Sequence, residues 1–109
     1  MKKEFHKFYK SYKNYVAVKP QKSDYSTMTK LAEETGEVAE AMAAFWGSKT
    51  KIAKFEQEGK TVNGALKEEI GDCIVVLFNL ATACNITHEE LFEAMTKKVN
   101  ERAAGHTKE

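Results

Sequence analysis

The chain has 109 residues, with 17 Lys and Arg, 16 Asp and Glu, and two Cys. This length suits one compact domain, the 42% hydrophobic share excludes intrinsic disorder, and two Cys are too few for a disulfide scaffold. The longest apolar run, from Cys73 to Phe78, has six residues, whereas a membrane-spanning helix needs roughly 20. No apolar segment of the kind found in signal peptides follows the N-terminus. We therefore expect a cytoplasmic protein that does not enter membranes.

The first 22 residues form a basic, aromatic leader. They contain seven Lys and one Glu, a local charge of +6 that leaves −5 for the rest of the chain. Aromatic side chains recur at spacings of three and four, which predicts an amphipathic helix over residues 4–15: Phe5, Phe8, Tyr9, Tyr12 and Tyr15. Lys interleaved with aromatics also occurs in proteins that bind nucleic acids, but one aromatic face is more typical of packing. We expect no nucleic-acid partner, and we expect the Lys residues to steer an anionic substrate.

A second helix is predicted after Pro20. Its capping candidates are Ser23, Asp24 and Ser26, and it runs to Trp46, with Gly47 ending it. Residues 47–62 show no clean repeat and are predicted to be a long connection. Within it, Ile52 and Phe55 anchor one or two helical turns. Connections of this length in small domains are usually binding loops or mobile segments.

Two more helices complete the prediction. The third begins near Asn63 as N-cap and continues to Cys84, where Asn85 takes the left-handed conformation. The fourth opens with a capping box between Thr87 and Glu90 and ends near Gly105. The predicted fold class is therefore all-α, a bundle of four main helices.

The third helix is apolar almost all round. Ile74, Val75, Val76 and Phe78 lie outside its main apolar stripe, which contains Leu66, Ile70, Cys73, Leu77, Leu80 and Cys84. A helix of this kind must be buried on several sides, and four helices from one short chain hardly enclose it. We therefore expect the core to be completed by oligomerisation, with the second and third helices of different subunits sharing one bundle.

Acidic residues lie where core residues are expected. On the second helix, Glu34 falls inside the apolar stripe and Glu37 at its edge, while Glu33 and Glu40 project toward the opposite side. On the third helix, Glu69 lies within the margin of the stripe. Asp72 follows Glu69 at the same spacing of three residues that separates Glu34 from Glu37.

If the two stripes pack together, the four carboxylates of Glu34, Glu37, Glu69 and Asp72 converge. Converging, partly buried carboxylates repel one another and lose hydration unless a cation or a proton compensates. Oxygen ligands favour Mg²⁺ or Mn²⁺ over zinc, and Mg²⁺ commonly engages substrate phosphates as well. The alternative for such pairs is a solvated helix face. A di-iron bundle is set aside, because no Glu in this chain is followed three residues later by His.

Residues 31–40, LAEETGEVAE, and 66–72, LKEEIGD, resemble the E-E-x-x-E and E-x-x-D motifs of MazG-like nucleotide pyrophosphohydrolases. These enzymes belong to the all-α NTP pyrophosphatase superfamily, and the resemblance covers residues 25–103. It implies a single domain over residues 1–109, with residues 1–22 as its leader helix. It also implies an enzyme that uses Mg²⁺, with Mn²⁺ as the alternative, to hydrolyse an NTP or dNTP to a monophosphate and pyrophosphate, in house-cleaning or nucleotide-pool control.

The resemblance assigns roles to individual residues. Glu34, Glu37, Glu69 and Asp72 are the implied metal ligands. Glu33 and Glu68, the first acids of each doublet, are either catalytic residues that orient water or accept its proton, or ordinary surface acids. The resemblance does not decide which of the two is the general base.

The resemblance also implies substrate contacts and partners. Lys97, Lys98 and Asn100 occupy the region that contacts phosphate and sugar in the family, and Trp46 either stacks on the base or packs in the core. The implied partners are a nucleotide substrate and further copies of the chain, as a dimer or tetramer. The competing hypothesis is a helical oligomeric module that binds nucleotides without hydrolysing them. The identity of the nucleotide stays open.

Overall fold

The computed structural model describes residues 1–21 and 25–108, and this part of the chain forms five α-helices and no strand. They are α1 (Lys2–Val18), α2 (Tyr25–Phe45), α3 (Lys49–Gln57), α4 (Val62–Ala83) and α5 (His88–Lys108). The predicted all-α class is confirmed, with one helix more than the four expected. Completion of the core by oligomerisation stays a prediction.

The centre of the fold is the pair α2 and α4, which make the most extensive contact, and α3 packs against both. The core between them contains Ala41 and Ala44 of α2, Phe55 of α3 and Ala65 of α4, all buried. Small alanines allow the helix axes to approach closely, and the Phe55 ring fills the space beside them. Glu34, Glu37 and Glu69 are carried by the same two central helices.

Helix α3 occupies most of the predicted long connection. The helical turns expected at Ile52 and Phe55 are confirmed, but they belong to a helix of nine residues, longer than predicted. Ser48 caps the helix by accepting a hydrogen bond from the backbone N–H of Lys51 at 3.4 Å. Gly59, at φ 74°, provides the left-handed turn after it. Ile52 and Phe55 lie one turn apart and face the core, and this burial stabilises a short helix that would be marginal alone.

Helix α4 begins two residues earlier than predicted because Thr61, not Asn63, is its N-cap. The Thr61 hydroxyl accepts a hydrogen bond from the backbone N–H of Gly64 at 3.0 Å. A Cβ added to Gly64 would lie 2.9 Å from that hydroxyl oxygen. The close approach of the cap therefore accounts for glycine at this position.

The other helix ends follow the sequence more closely. Asn85, at φ 59°, takes the left-handed conformation after α4 as predicted. The capping box of α5 is confirmed, with the Glu90 N–H donating to Thr87 Oγ1 at 3.1 Å and the Thr87 N–H donating to Glu90 Oε1 at 3.2 Å. Of the capping candidates for α2, Ser26 lies inside the helix, whereas Ser23 and Asp24 lie outside the described residues.

The aromatic face of α1 packs on α4 and α5. The Phe8 ring lies 5.9 Å from that of Phe78, centroid to centroid, and Tyr12 is buried against the same ring. The Tyr12 hydroxyl donates to Asn79 Oδ1 at 3.1 Å, and the Tyr9 hydroxyl hydrogen bonds to the ring of the buried His88. The aromatic stripe of the leader is therefore engaged in packing.

Several large apolar side chains of α2 and α4 remain exposed. Ile70, Ile74 and Leu77 lie on one side of α4 and are each between 43% and 46% exposed, although Ile70 and Leu77 belong to the predicted core stripe. Glu69, Cys73 and Leu80, which lie near them on the helix, are half-buried instead. No described helix alone has the length and apolar character to cross a membrane. Only α4 and α5 taken together, with a bend of 117° between them, meet those criteria.

Candidate metal centre

Three carboxylates meet where α2 packs on α4. Glu34 and Glu37 lie one turn apart on α2, and Glu69 faces them from α4, so that one oxygen from each lies within 4.8 Å of the others. We call these three residues the acidic trio. The spacing of three residues on α2 and the close packing of the two helices together produce this convergence.

Two oxygens of the trio are buried without a partner. Glu34 is only 5% exposed; its Oε1 accepts from the Lys30 ammonium at 3.0 Å, but its Oε2 has no hydrogen-bond partner among the described residues. The Oε2 of Glu69 is in the same condition. A buried carboxylate oxygen left without a partner carries a large desolvation penalty, which a bound cation would offset. These oxygen donors suit a hard divalent cation such as Mg²⁺.

The carboxylates of the trio raise the pKa of one of their members, Glu37. The pKa of Glu37 is raised from 4.5 to about 7, mainly because its carboxyl group shares a hydrogen bond with Glu69. Burial and repulsion from Glu34 and Glu69 raise the pKa further. Below about pH 7, a proton on Glu37 therefore reduces the repulsion within the trio when no metal is bound, as expected for carboxylates that approach one another closely.

Asp72, the fourth implied ligand, lies one turn beyond Glu69 on α4 and is exposed. Its carboxylate is not part of the trio. The structure thus brings together three of the four implied metal ligands, and the full set of four stays a prediction.

Glu33 and Glu68, the candidate catalytic residues, lie beside the trio in sequence but are not part of it. Both are exposed: Glu33 lies 3.8 Å from the Lys30 ammonium, and Glu68 lies 3.2 Å from the Lys60 ammonium. Their catalytic role stays a prediction.

The predicted substrate-binding residues lie on other parts of the surface. Trp46, just beyond the end of α2, is 77% exposed and therefore does not pack in the core of the single chain. Lys97, Lys98 and Asn100 are exposed on α5, which packs along α4 and makes no close backbone approach to α2 or α3 within the described ranges. Contact of these four side chains with a substrate stays a prediction.

A cleft of about 230 Å³ adjoins the acidic trio between α2, α3 and α4. Five of its six lining residues are charged: Glu37, Glu40, Lys54, Phe55, Glu58 and Glu69. The prediction that Glu40 projects to the opposite side of α2 was wrong, since this half-buried side chain borders the same cleft as Glu37 and Glu69. Lys54 and Glu58 also line the cleft, although the sequence did not predict a site role for them, because residues 47–62 lack a clean helical repeat. The cap at Ser48 and the spacing of Ile52 and Phe55 were the signals that pointed to α3.

Lysines of and near α3 compensate the outer carboxylates of the cleft. Lys51 and Lys54 both donate to Glu40 Oε1, with the Lys51 ammonium at 3.1 Å. Hydrogen bonds from Lys54 and Lys51 lower the pKa of Glu40, and the bond to Glu40 raises the pKa of Lys54. Lys60 lies 3.9 Å from Glu58. Within residues 1–21 and 25–108, no lysine forms an ion pair with Glu37 or Glu69, so the unpaired negative charge of the cleft lies at the trio.

Comparisons with known proteins agree with this site. The profile of the MazG nucleotide pyrophosphohydrolase domain matches residues 22–106, a span that contains the acidic trio, Asp72 and the cleft. An uncharacterized protein, YpjD, of Bacillus subtilis (strain 168) is 34% identical over 80 residues, which cover 73% of this chain and 67% of that protein. No solved structure gives a significant match. The chain therefore belongs to the MazG nucleotide pyrophosphohydrolase domain family.

Proposed function

We propose that this protein hydrolyses a nucleoside triphosphate, NTP or dNTP, to the monophosphate and pyrophosphate in a reaction that depends on Mg²⁺, with Mn²⁺ as the alternative ion. The observation that carries the proposal is the pair of buried oxygens on Glu34 and Glu69 that lack a hydrogen-bond partner among the described residues, in a group of three converging carboxylates. A surface cluster of acids would leave these oxygens hydrated. The matching family supports the reaction class.

The metal would be held by Glu34, Glu37 and Glu69, with Asp72 joining from the next turn of α4. When bound there, Mg²⁺ would act as a Lewis acid that neutralises charge developing on the phosphate oxygens. Lys30 holds Glu34 through its ion pair with Oε1, so the buried Oε2 remains available to a metal ion. The cores of α2 and α4 hold the ligands in place, so little reorganisation accompanies binding.

In the proposed reaction, the oxygen of a water forms a bond to the α-phosphorus. The bond from that phosphorus to the bridging oxygen breaks, and its electron pair leaves with pyrophosphate. The proton of the water passes to a carboxylate and then to solvent; Glu33 and Glu68, adjacent to the trio in sequence, are the proposed acceptors.

A panel assay tests this proposal. The purified protein is incubated with each NTP and dNTP in the presence of Mg²⁺, and the release of pyrophosphate and monophosphate is measured. We expect release with at least one nucleotide, abolished by a chelator and restored by added Mg²⁺. Tight nucleotide binding without release would instead identify the non-hydrolytic binding module.

The working form of the protein is proposed to be a homo-oligomer, a dimer or a tetramer. The partly exposed Ile70, Ile74 and Leu77 on α4 and Phe45 on α2 support this, because side chains of this size are stabilised by burial against a second copy. Light scattering at micromolar concentration tests it. A stable monomer that retains full activity would refute the proposal.

A further inference from the structure

Two ammonium groups share a single carboxylate oxygen at the outer end of the cleft. Lys51 and Lys54, less than one turn apart on α3, both donate to Glu40 Oε1. One carboxylate does not neutralise two ammonium groups, so the group of Lys51, Lys54 and Glu40 carries a net charge of +1; Glu58, which also lines the cleft, lies 3.9 Å from the Lys60 ammonium. Both lysines remain partly exposed, at 38% and 46% of the side chain, and are therefore accessible to a ligand.

The cleft therefore combines both signs of charge. Glu37 and Glu69 of the acidic trio line one part of it, and Lys54, paired with Glu40 beside Lys51, lines another, together with Glu58. The trio suits a metal ion, whereas the two ammonium groups suit the anion that the metal brings with it. This combination matches a metal-bound phosphate group.

The size and lining of the cleft restrict which part of a nucleotide it holds. Its volume of about 230 Å³ lies below the roughly 300–1,000 Å³ of typical small-molecule sites, so the cleft suits a part of a nucleotide better than the whole. Charged side chains line it apart from Phe55, which is buried in the core and leaves no exposed aromatic face for a base. The cleft therefore suits phosphate groups.

Charge balance also calls for a cation at this place. One Mg²⁺ on three carboxylates leaves a net charge of −1, which repels a triphosphate. Lys54 is the cation that lines the cleft beside the trio, and the field of Glu37 contributes to its raised pKa. The long, flexible lysine side chain allows the ammonium to leave Glu40 and reach a phosphate oxygen while α3 stays anchored through Phe55.

We propose that Lys54, assisted by Lys51, binds the pyrophosphate portion of the substrate and of the product, and that Glu40 holds both lysines in position when the cleft is empty. This inference rests on the proposed function for the identity of the substrate. It assigns a phosphate-binding role to residues of α3, in addition to the phosphate contacts that the family resemblance implies for Lys97 and Lys98 of α5.

Binding of pyrophosphate itself tests the inference without requiring turnover. Isothermal titration calorimetry compares Mg²⁺-pyrophosphate binding to the unmodified protein, to Lys54→Met and to the Lys51→Met/Lys54→Met double variant. The matched control is Lys49→Met, which removes the same charge from an exposed position on the same helix. Titration with Mg²⁺ alone reports separately on the acidic trio, and thermal melting verifies that each variant is folded.

We expect Lys54→Met to weaken pyrophosphate binding by about 10-fold or more, in line with the loss of one charge-assisted hydrogen bond. The double variant should weaken it further, while Lys49→Met stays within about twofold and Mg²⁺ affinity is unchanged. Pyrophosphate affinities equal in Lys54→Met and Lys49→Met would overturn the inference.

The proposed function can fail independently. If the unmodified protein hydrolyses no nucleotide but loses pyrophosphate binding through Lys54→Met, the phosphate site stands and the enzymatic proposal falls. If hydrolysis is robust and Lys54→Met changes neither pyrophosphate affinity nor KM, the enzymatic proposal stands and the inference about α3 falls.

Discussion

Glu37 of α2 and Glu69 of α4 share a hydrogen bond across the central helix pair, and this contact is the main reason that the pKa of Glu37 is raised to about 7. Two ionised carboxylates at this separation repel each other, so the metal-free site retains a proton. Metal and proton therefore compete for the same oxygens, and both the stability and the metal affinity of the protein depend on pH.

In the absence of metal, the stabilising contribution of the Glu37 carboxyl group should be lost as pH rises. The folded-state pKa of Glu37 lies above its ordinary value of 4.5, so its stabilising contribution is complete below that value and is lost as pH increases through about 7. Glu37→Gln keeps a neutral hydrogen-bonding group in place of the protonated acid. In a chelator, we expect this variant to melt at a higher temperature than the unmodified protein at pH 8 and at a similar temperature at pH 5. Equal melting temperatures at both pH values would contradict the assigned pKa.

Magnesium should stabilise the protein more strongly at high pH. Binding displaces the proton of Glu37, so the rise in Tm on adding Mg²⁺ should be larger at pH 8 than at pH 6. At a Mg²⁺ concentration 100 times the Kd, the expected stabilisation is about 2.7 kcal/mol. Differential scanning fluorimetry measures this shift. The shift should disappear in Glu34→Gln and persist in Glu93→Gln, an exposed acid on α5.

Loss of a metal ligand should remove activity while sparing the fold. We expect Glu34→Gln and Asp72→Asn each to lower kcat/KM by at least about 100-fold, because each removes a group that positions charge at the reacting phosphate. Circular dichroism should show a helical content equal to that of the unmodified protein. Asp72→Asn is the sharper test, since this exposed residue lies outside the trio of the metal-free structure. Near-normal turnover in that variant would exclude Asp72 from the ligand set.

At the cap of α4, the effects of substitutions at Thr61 and Gly64 on the free energy of unfolding should depend on each other. Thr61→Ala removes the hydroxyl that accepts from the Gly64 N–H and should cost about 1 kcal/mol in the free energy of unfolding. In the unmodified protein, Gly64→Ala should be nearly neutral, because the gain in helix propensity of up to about 1 kcal/mol is offset by displacement of the Thr61 hydroxyl.

Once Thr61 is alanine, the obstacle is absent, and adding Gly64→Ala should stabilise the protein by up to about 1 kcal/mol. Urea denaturation of both single variants and of the double variant measures this coupling. Strictly additive effects would show that the hydroxyl does not restrict position 64.

Local sequence signals were sufficient for most helix ends. The capping box of Thr87 and Glu90, the left-handed Asn85 and the glycine after α2 are interactions between residues close in the chain, so the sequence determined them directly. The acidic pairs were equally visible, because spacing on a helix places Glu34 and Glu37 on one face whatever the fold. The extent of α3 was less visible, because this helix has only nine residues, one cap at Ser48 and two core residues, Ile52 and Phe55.

What only the tertiary structure decided are the relationships between helices. The packing of α4 against α2 left Glu69 half-buried and Asp72, Ile70 and Leu77 exposed, and the alanines at the crossing set how closely the two helices approach. The position of α3, anchored by Phe55, brought Lys51 and Lys54 to Glu40, although 11 and 14 residues separate these lysines from the acid in the chain. The sequence by itself determined which side chains are available for metal and phosphate chemistry. The packing of α2, α3 and α4 determined which of these side chains share one cleft. Sharing a cleft depends on the distances between helices, and the periodicity within one helix does not predict those distances.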